Sequence, residues 1–177
     1  MSREIVLKAT NFVWFQAIWW LVILYQNSAV WIVCLLITAW LWLSPKRVAD
    51  IKLMLILFVM GTAIDFLLTH AGVFIFEDKT TLVAFWPIPI WLSLLWCAFA
   101  GTVYHSMTAF QGRLALSALA GAIFAPLSYI AGANLGAVEL GESILFTYLV
   151  VGLVWSIVFP FCFYISAKIS PAELDTH

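Results

Sequence analysis

The chain has 177 residues, 65% of them apolar and only 10% charged, with a formal net charge of −1. A soluble domain is about half apolar and a quarter charged, so no soluble core could hide this much apolar surface. The near-neutral balance offers no electrostatic footprint for nucleic acid, and the length suits one domain over residues 1–177, since several spans leave no room for a separate soluble module.

Met1 to Lys8 resembles the n-region of a signal peptide. The apolar run behind it carries Asn11 and Gln16 and reaches no small-x-small cleavage site, so it is read as a retained first helix. Six apolar stretches then follow in order: Ala9 to Tyr25, Ala29 to Leu43, Leu53 to Phe74, Ile88 to Phe110, Leu114 to Ala133 and Ile144 to Ala167. All but the short second one suit the ~17–25 residues that a spanning helix needs. Gln26-Asn27-Ser28 makes a tight polar turn, while Ser44-Pro45-Lys46-Arg47, Glu77-Asp78-Lys79, Gln111-Gly112-Arg113 and the stretch from Asn134 to Ser143 break the remaining runs. When ends and loops alternate between two sides, Arg3, Lys8, Lys46, Arg47, Lys52, Arg113 and Lys168 share one side and only Lys79 lies opposite. This asymmetry predicts an all-α, multi-pass bundle of six transmembrane helices with both termini cytoplasmic.

Polar residues inside the apolar runs are the candidates for chemistry. Asp65 is the one acid within a run, ~18 Å beyond Leu53 at the helical rise and so near the midplane. A charge there costs roughly 2.5–3.5 kcal/mol on insertion scales, so the side chain is expected to face the bundle interior or water. Gly61 and Thr69, four residues to either side, share its helical face. A ligand or proton role and a plain interhelical hydrogen bond account for Asp65 equally well. Ser128 and Tyr129 of the fifth run, ~21–22 Å up from the cytoplasmic side, reach the same depth and are its expected partners. Pro126 just before them frees the carbonyl of Ala122, as in the broken helices of membrane binding sites, although small residues such as Ala118, Ala122, Ala125 and Gly132 equally suit close packing.

His105 is expected ~25 Å down its run, roughly 13 Å from the level of Asp65, so the two should not pair. His70, five residues past Asp65, points ~140° away from it. Asn11 and Gln16 share the depth of His105 and suggest either a polar cluster or interhelical glue. Cys34, Cys97 and Cys162 lie in separate runs without metal or redox spacing. No metal, cofactor or catalytic triad is therefore expected. The chain is Trp-rich, with ten. Trp86 opens the fourth run at the outer interface, while Trp19, Trp20, Trp96 and Trp155 fall within the bilayer and either pack against neighbours or line an aromatic cavity.

Asn11-Phe12 through Phe15-Gln16, Trp86-Pro87-Ile88-Pro89-Ile90-Trp91-Leu92, Trp96 through Phe99, His105-Ser106, Pro126-Leu127-Ser128-Tyr129 with Gly132, and Leu135-Gly136-Ala137-Val138 resemble a bacterial inner-membrane family of unknown function, DUF2878. The resemblance covers nearly the whole chain, with Trp-Pro-x-Pro and Pro-Leu-Ser-Tyr its most specific elements, and implies a bacterial inner (cytoplasmic) membrane location. The resemblance also implies a hint of lipid-related work, because members of that family are often encoded near enzymes that modify phospholipid acyl chains. Three functions follow as expectations. The first is binding or transport of a lipid or other largely apolar small molecule, with Asp65, Thr69, Ser128, Tyr129, Trp86, Trp96, Asn11, Gln16 and His105 as candidate ligand or polar-core residues. The second is a membrane-embedded enzyme of lipid modification using Asp65, His105 or Tyr129. The third is a non-catalytic subunit packed against a membrane-protein partner.

Overall fold

The computed structural model describes residues 3–76 and 88–170, and these form a mostly helical molecule. Helix α1 (Arg3–Tyr25) passes through a 3-10 turn, Gln26–Ala29, into α2 (Val30–Leu43). Gln26 carries the turn with φ +47°, a left-handed conformation uncommon outside glycine. Helix α3 spans Arg47–His70, α4 Ile90–Val103, α5 Leu114–Asn134 and α6 Ile144–Ile169. The stretch 3–43 and helices α3, α5 and α6 are each long and apolar enough to cross a membrane, whereas α4, equally apolar, has only 14 residues. The chain is thus built as a membrane protein.

Local chemistry sets several of these boundaries. Helices α3 and α5 end the same way: Gly72 and Gly136 sit at φ +77° and +78°, and the amides of Gly72 and Val73 bond Thr69 and Leu68, as those of Gly136 and Ala137 bond Ala133 and Gly132. This double bond over a left-handed glycine closes a helix and turns the chain sharply. Each turn delivers a two-residue strand, β1 (Phe74–Ile75) and β2 (Glu139–Leu140), which pair antiparallel with Phe74 opposite Leu140. At the start of α6 the Ser143 hydroxyl accepts from the amide of Phe146 and caps the helix. Pro126 does not interrupt α5, which runs on as one helix.

Several boundaries differ from the sequence expectation, with α1 beginning at Arg3 rather than Ala9 and α3 ending at His70 rather than Phe74. Helix α3 begins at Arg47 rather than Leu53, because Ser44-Pro45-Lys46 makes the break and the charged residues Arg47, Asp50 and Lys52 are carried in the helix's first turns. Helix α4 ends at Val103 rather than Phe110, so His105 lies in the turn that follows it.

Helix α5 packs most extensively on α6, and α3 on α4. Two apolar clusters form the interior, one at the strand end around Ile18, Val22, Phe74 and Trp91, the other at the opposite end around Leu53, Leu57, Phe99 and Phe163. The polarity of inside and outside is unlike that of a soluble domain: Trp31 and Trp42 are more than 70% exposed, while Asn11, Asp50, Asp65, Thr102 and Thr147 are fully buried.

A buried acid beside an aromatic cavity

Asp65 sits on the inner face of α3 among Leu57, Gly61, Thr62 and Leu68. Its Oδ2 accepts the indole N–H of Trp96 from α4 at 2.6 Å, and its Oδ1 accepts the hydroxyl of Tyr129 from α5 at 2.6 Å. Both donors are neutral, and among the described residues no basic side chain pairs with the carboxylate. The two rings are held by their own neighbours. Trp96 lies flat against Gly61, where any Cβ would run into the ring, and Trp155 of α6 stacks on it with centroids 4.9 Å apart and planes 12° apart. Tyr129 stacks on Phe74 of β1 at 4.6 Å and 5°. The strand pair therefore helps to fix a side chain at its own end of the bundle. The Trp155 indole nitrogen is buried and interacts with Tyr129 without reaching hydrogen-bond geometry.

Next to this constellation lies a cavity of about 580 Å³ between α1, α4, α5 and α6, lined by Trp19, Trp91, Trp96, Phe99, Tyr129 and Trp155 among others. Its exposed lining residues, Phe12, Gln16, Trp20, Phe124 and Leu127, all belong to α1 and α5, so it opens sideways between those two helices. A hydrogen bond from the Trp19 indole to the Ser128 hydroxyl, 3.0 Å, bridges α1 and α5 across the opening. The wall carries no Lys, Arg, His, Asp or Glu among the described residues. A space of this size and lining suits a small organic molecule.

A second polar cluster lies outside the lining of this cavity. Asp50, one turn into α3, accepts the Ser44 hydroxyl at 2.5 Å, and both its oxygens lie 3.0–3.2 Å from His105 Nε2. All three side chains are buried, and Trp40 meets the His105 ring edge-on at 4.9 Å. Ser44 also accepts the amide of Lys46, tying the cluster to the start of α3. The order differs from that of a nucleophilic triad, in which the imidazole stands between hydroxyl and carboxylate. Here Ser44 is bonded to the acid itself, with the imidazole at 3.4 Å. Beside this cluster Asn11 of α1 donates to the Gly101 carbonyl and accepts both the amide and the hydroxyl of Ser106, fastening the turn that holds His105.

Asp65, Trp96 and Tyr129 are thus in mutual contact. Ser128 bonds Trp19 rather than the acid. Thr69 returns its hydroxyl to the Asp65 backbone carbonyl at 2.7 Å and so does not face the carboxylate. Gln16 is exposed at the cavity, away from the polar cluster that Asn11 joins. His105 stays apart from Asp65, as the difference in depth requires, and bonds Asp50 instead. Trp86 lies outside the described residues. The sequence reading missed Asp50 and Ser44, assigned to a loop. A signal was present: Asp50 precedes Asp65 by fifteen residues, about 60° apart around a helix, which places both on one face.

These features define a helical membrane protein with an aromatic-walled cavity open to one side and a buried acid behind the wall. The chain belongs to the family described as a protein of unknown function (DUF2878), whose pattern matches residues 8–161. No curated protein and no solved structure matches it.

Proposed function

We propose that the protein binds or transports a lipid or other largely apolar molecule in the cavity between α1 and α5, as a six-span protein of the bacterial inner membrane with both termini in the cytoplasm. One observation carries the reading: the 580 Å³ space is walled by aromatic rings and opens sideways, where a spanning bundle meets lipid. A molecule dissolved in the bilayer enters such an opening without crossing water. Each buried methylene contributes about 0.8 kcal/mol relative to water, though far less relative to lipid, so selectivity must come from shape and from the few polar groups at the wall.

Mass spectrometry of molecules retained by gently purified protein tests this. The wild type should retain one apolar class that Ala125→Trp, which fills the cavity, loses while keeping its thermal transition. Equal lipid profiles for the two proteins would refute the reading, and a stoichiometric co-purifying protein in place of a ligand would favour a subunit role. For the topology, a reporter active only outside the cytoplasm should work after Lys79 and fail after Arg113 or at His177. The basis is the distribution of Lys and Arg.

A further inference from the structure

We infer that the ligand of this cavity carries a cationic head, a protonated or quaternary amine on an apolar body. The inference rests on the apolar-ligand reading above and adds to it the sign of the head group.

Both Asp65 oxygens accept hydrogen bonds, from a donor-only indole and from a phenol, which is the pattern of a carboxylate. Its partners carry no charge, so two hydrogen bonds stabilise the anion without neutralising it. Buried anions are generally paired, because taking an unpaired charge out of water is costly. Asp65 does not itself line the cavity, but the two residues that bond it, Trp96 and Tyr129, are part of the wall, so the carboxylate stands one side chain behind the open volume.

The wall completes the argument. Trp19, Trp91, Phe99, Tyr129 and Trp155 offer π systems, whose negative faces attract a cation within ~6 Å of the ring centroid. Tyr129 and Trp96 donate to an anion, and this pushes electron density back into their rings and strengthens that attraction. A phosphate or carboxylate head would find no basic side chain on the described wall and would stand near the Asp65 charge. A neutral head would find Ser128 and Gln16, but would leave the acid without a counter-charge. Aromatic faces backed by a fixed negative charge are the chemistry that recognises an ammonium group.

The test uses the full chain in nanodiscs of an uncharged digalactosyl lipid, which carries no amine, with empty discs subtracted, and three probes sharing a twelve-carbon chain: dodecyltrimethylammonium, dodecanol and dodecyl sulfate. Saturable binding should rank them in that order, with the ammonium probe about tenfold tighter than the alcohol. Asp65→Asn should bring the ammonium affinity down to about that of the alcohol. If the Asn variant does not fold, Trp91→Leu, which removes one π face from the wall and leaves Asp65 with both its donors, should weaken ammonium binding more than alcohol binding, and an equal loss for the two probes overturns the cationic head. Equal affinity for the three probes, or tightest binding of the sulfate, overturns the cationic head and leaves apolar binding standing. Absence of saturable binding of any probe overturns both.

Discussion

Helix α3 buries two acids on nearly the same face, ~22 Å apart along its axis, and their surroundings differ in kind. Asp50 is enclosed by Ser44 and His105 with Trp40 over the imidazole, and none of these side chains lines the cavity. Asp65 is held by two neutral aromatic donors that themselves form part of a cavity wall. Asp50 has a partner able to carry the opposite charge, and Asp65 has none among the described side chains. The lesson is that burial of an acid within a membrane helix does not by itself mark a functional site. What separates the two is whether the partners satisfy the charge and whether those partners line open space.

The comparison breaks most visibly at Asp50. Removing one partner of a buried pair leaves the other uncompensated, at about 3–5 kcal/mol. Asp50→Leu should therefore lower the yield of folded protein and its thermal transition in detergent sharply, because Ser44, His105 and the Lys46 amide lose their common anchor. A variant with an unchanged transition would make the Asp50 cluster dispensable.

Tyr129→Phe tests the Asp65 end with a smaller change. The loss of one hydrogen bond to a charged group costs about 1.5–3 kcal/mol. The ring and its stacking on Phe74 remain, so the thermal transition should fall moderately while the cavity keeps its shape. If the variant matched wild type, the 2.6 Å bond to Asp65 would contribute nothing to stability.

Trp19→Phe should have the smallest effect, since an interhelical bond in a membrane contributes on average about 0.6 kcal/mol. It removes the one side-chain hydrogen bond described between α1 and α5 across the opening. Ligand exchange should therefore quicken with little change in the thermal transition, as measured by the dissociation rate of a retained ligand. A slower dissociation would show that this bridge does not restrain the opening.

Much of this arrangement could be read from the sequence, for reasons that differ between elements. Helices α5 and α6 begin at Leu114 and Ile144, as expected, because Gly112-Arg113 and the Ser143 cap mark their starts. The meeting of Asp65 with Tyr129 followed from counting residues up two helices that were both read as rising from the cytoplasmic side, since rise per residue is fixed. Trp96 was legible as a cavity residue but not as the second donor, because the reach of a long side chain is not contained in helix depth. The Asp50 cluster was hidden by its neighbours: Lys46, Arg47 and Lys52 make the segment look like a loop, whereas they are surface residues around a helix start whose inner face carries the acid. The ending of α4 at Val103 was hidden too, since the aromatic and apolar members of Tyr104 to Phe110 extend the run, yet the chain turns there as its amides bond Thr102, Met107 and Asn11.

The contrast between an open acid and a closed one is tested most directly by photolabelling. The protein is exposed in membranes to a diazirine-bearing alkylamine, with and without excess unlabelled dodecyltrimethylammonium, and the modified residues are mapped by peptide mass spectrometry. Labelling suppressed by the competitor should fall on cavity residues such as Trp19, Phe99, Tyr129 and Trp155, while labelling of the outward-facing Trp31 and Trp42 should persist and that of Ser44, Asp50 and His105 should be absent. Competitor-sensitive labelling at Asp50 or His105, or labelling spread over the exterior that no competitor reduces, would contradict the account.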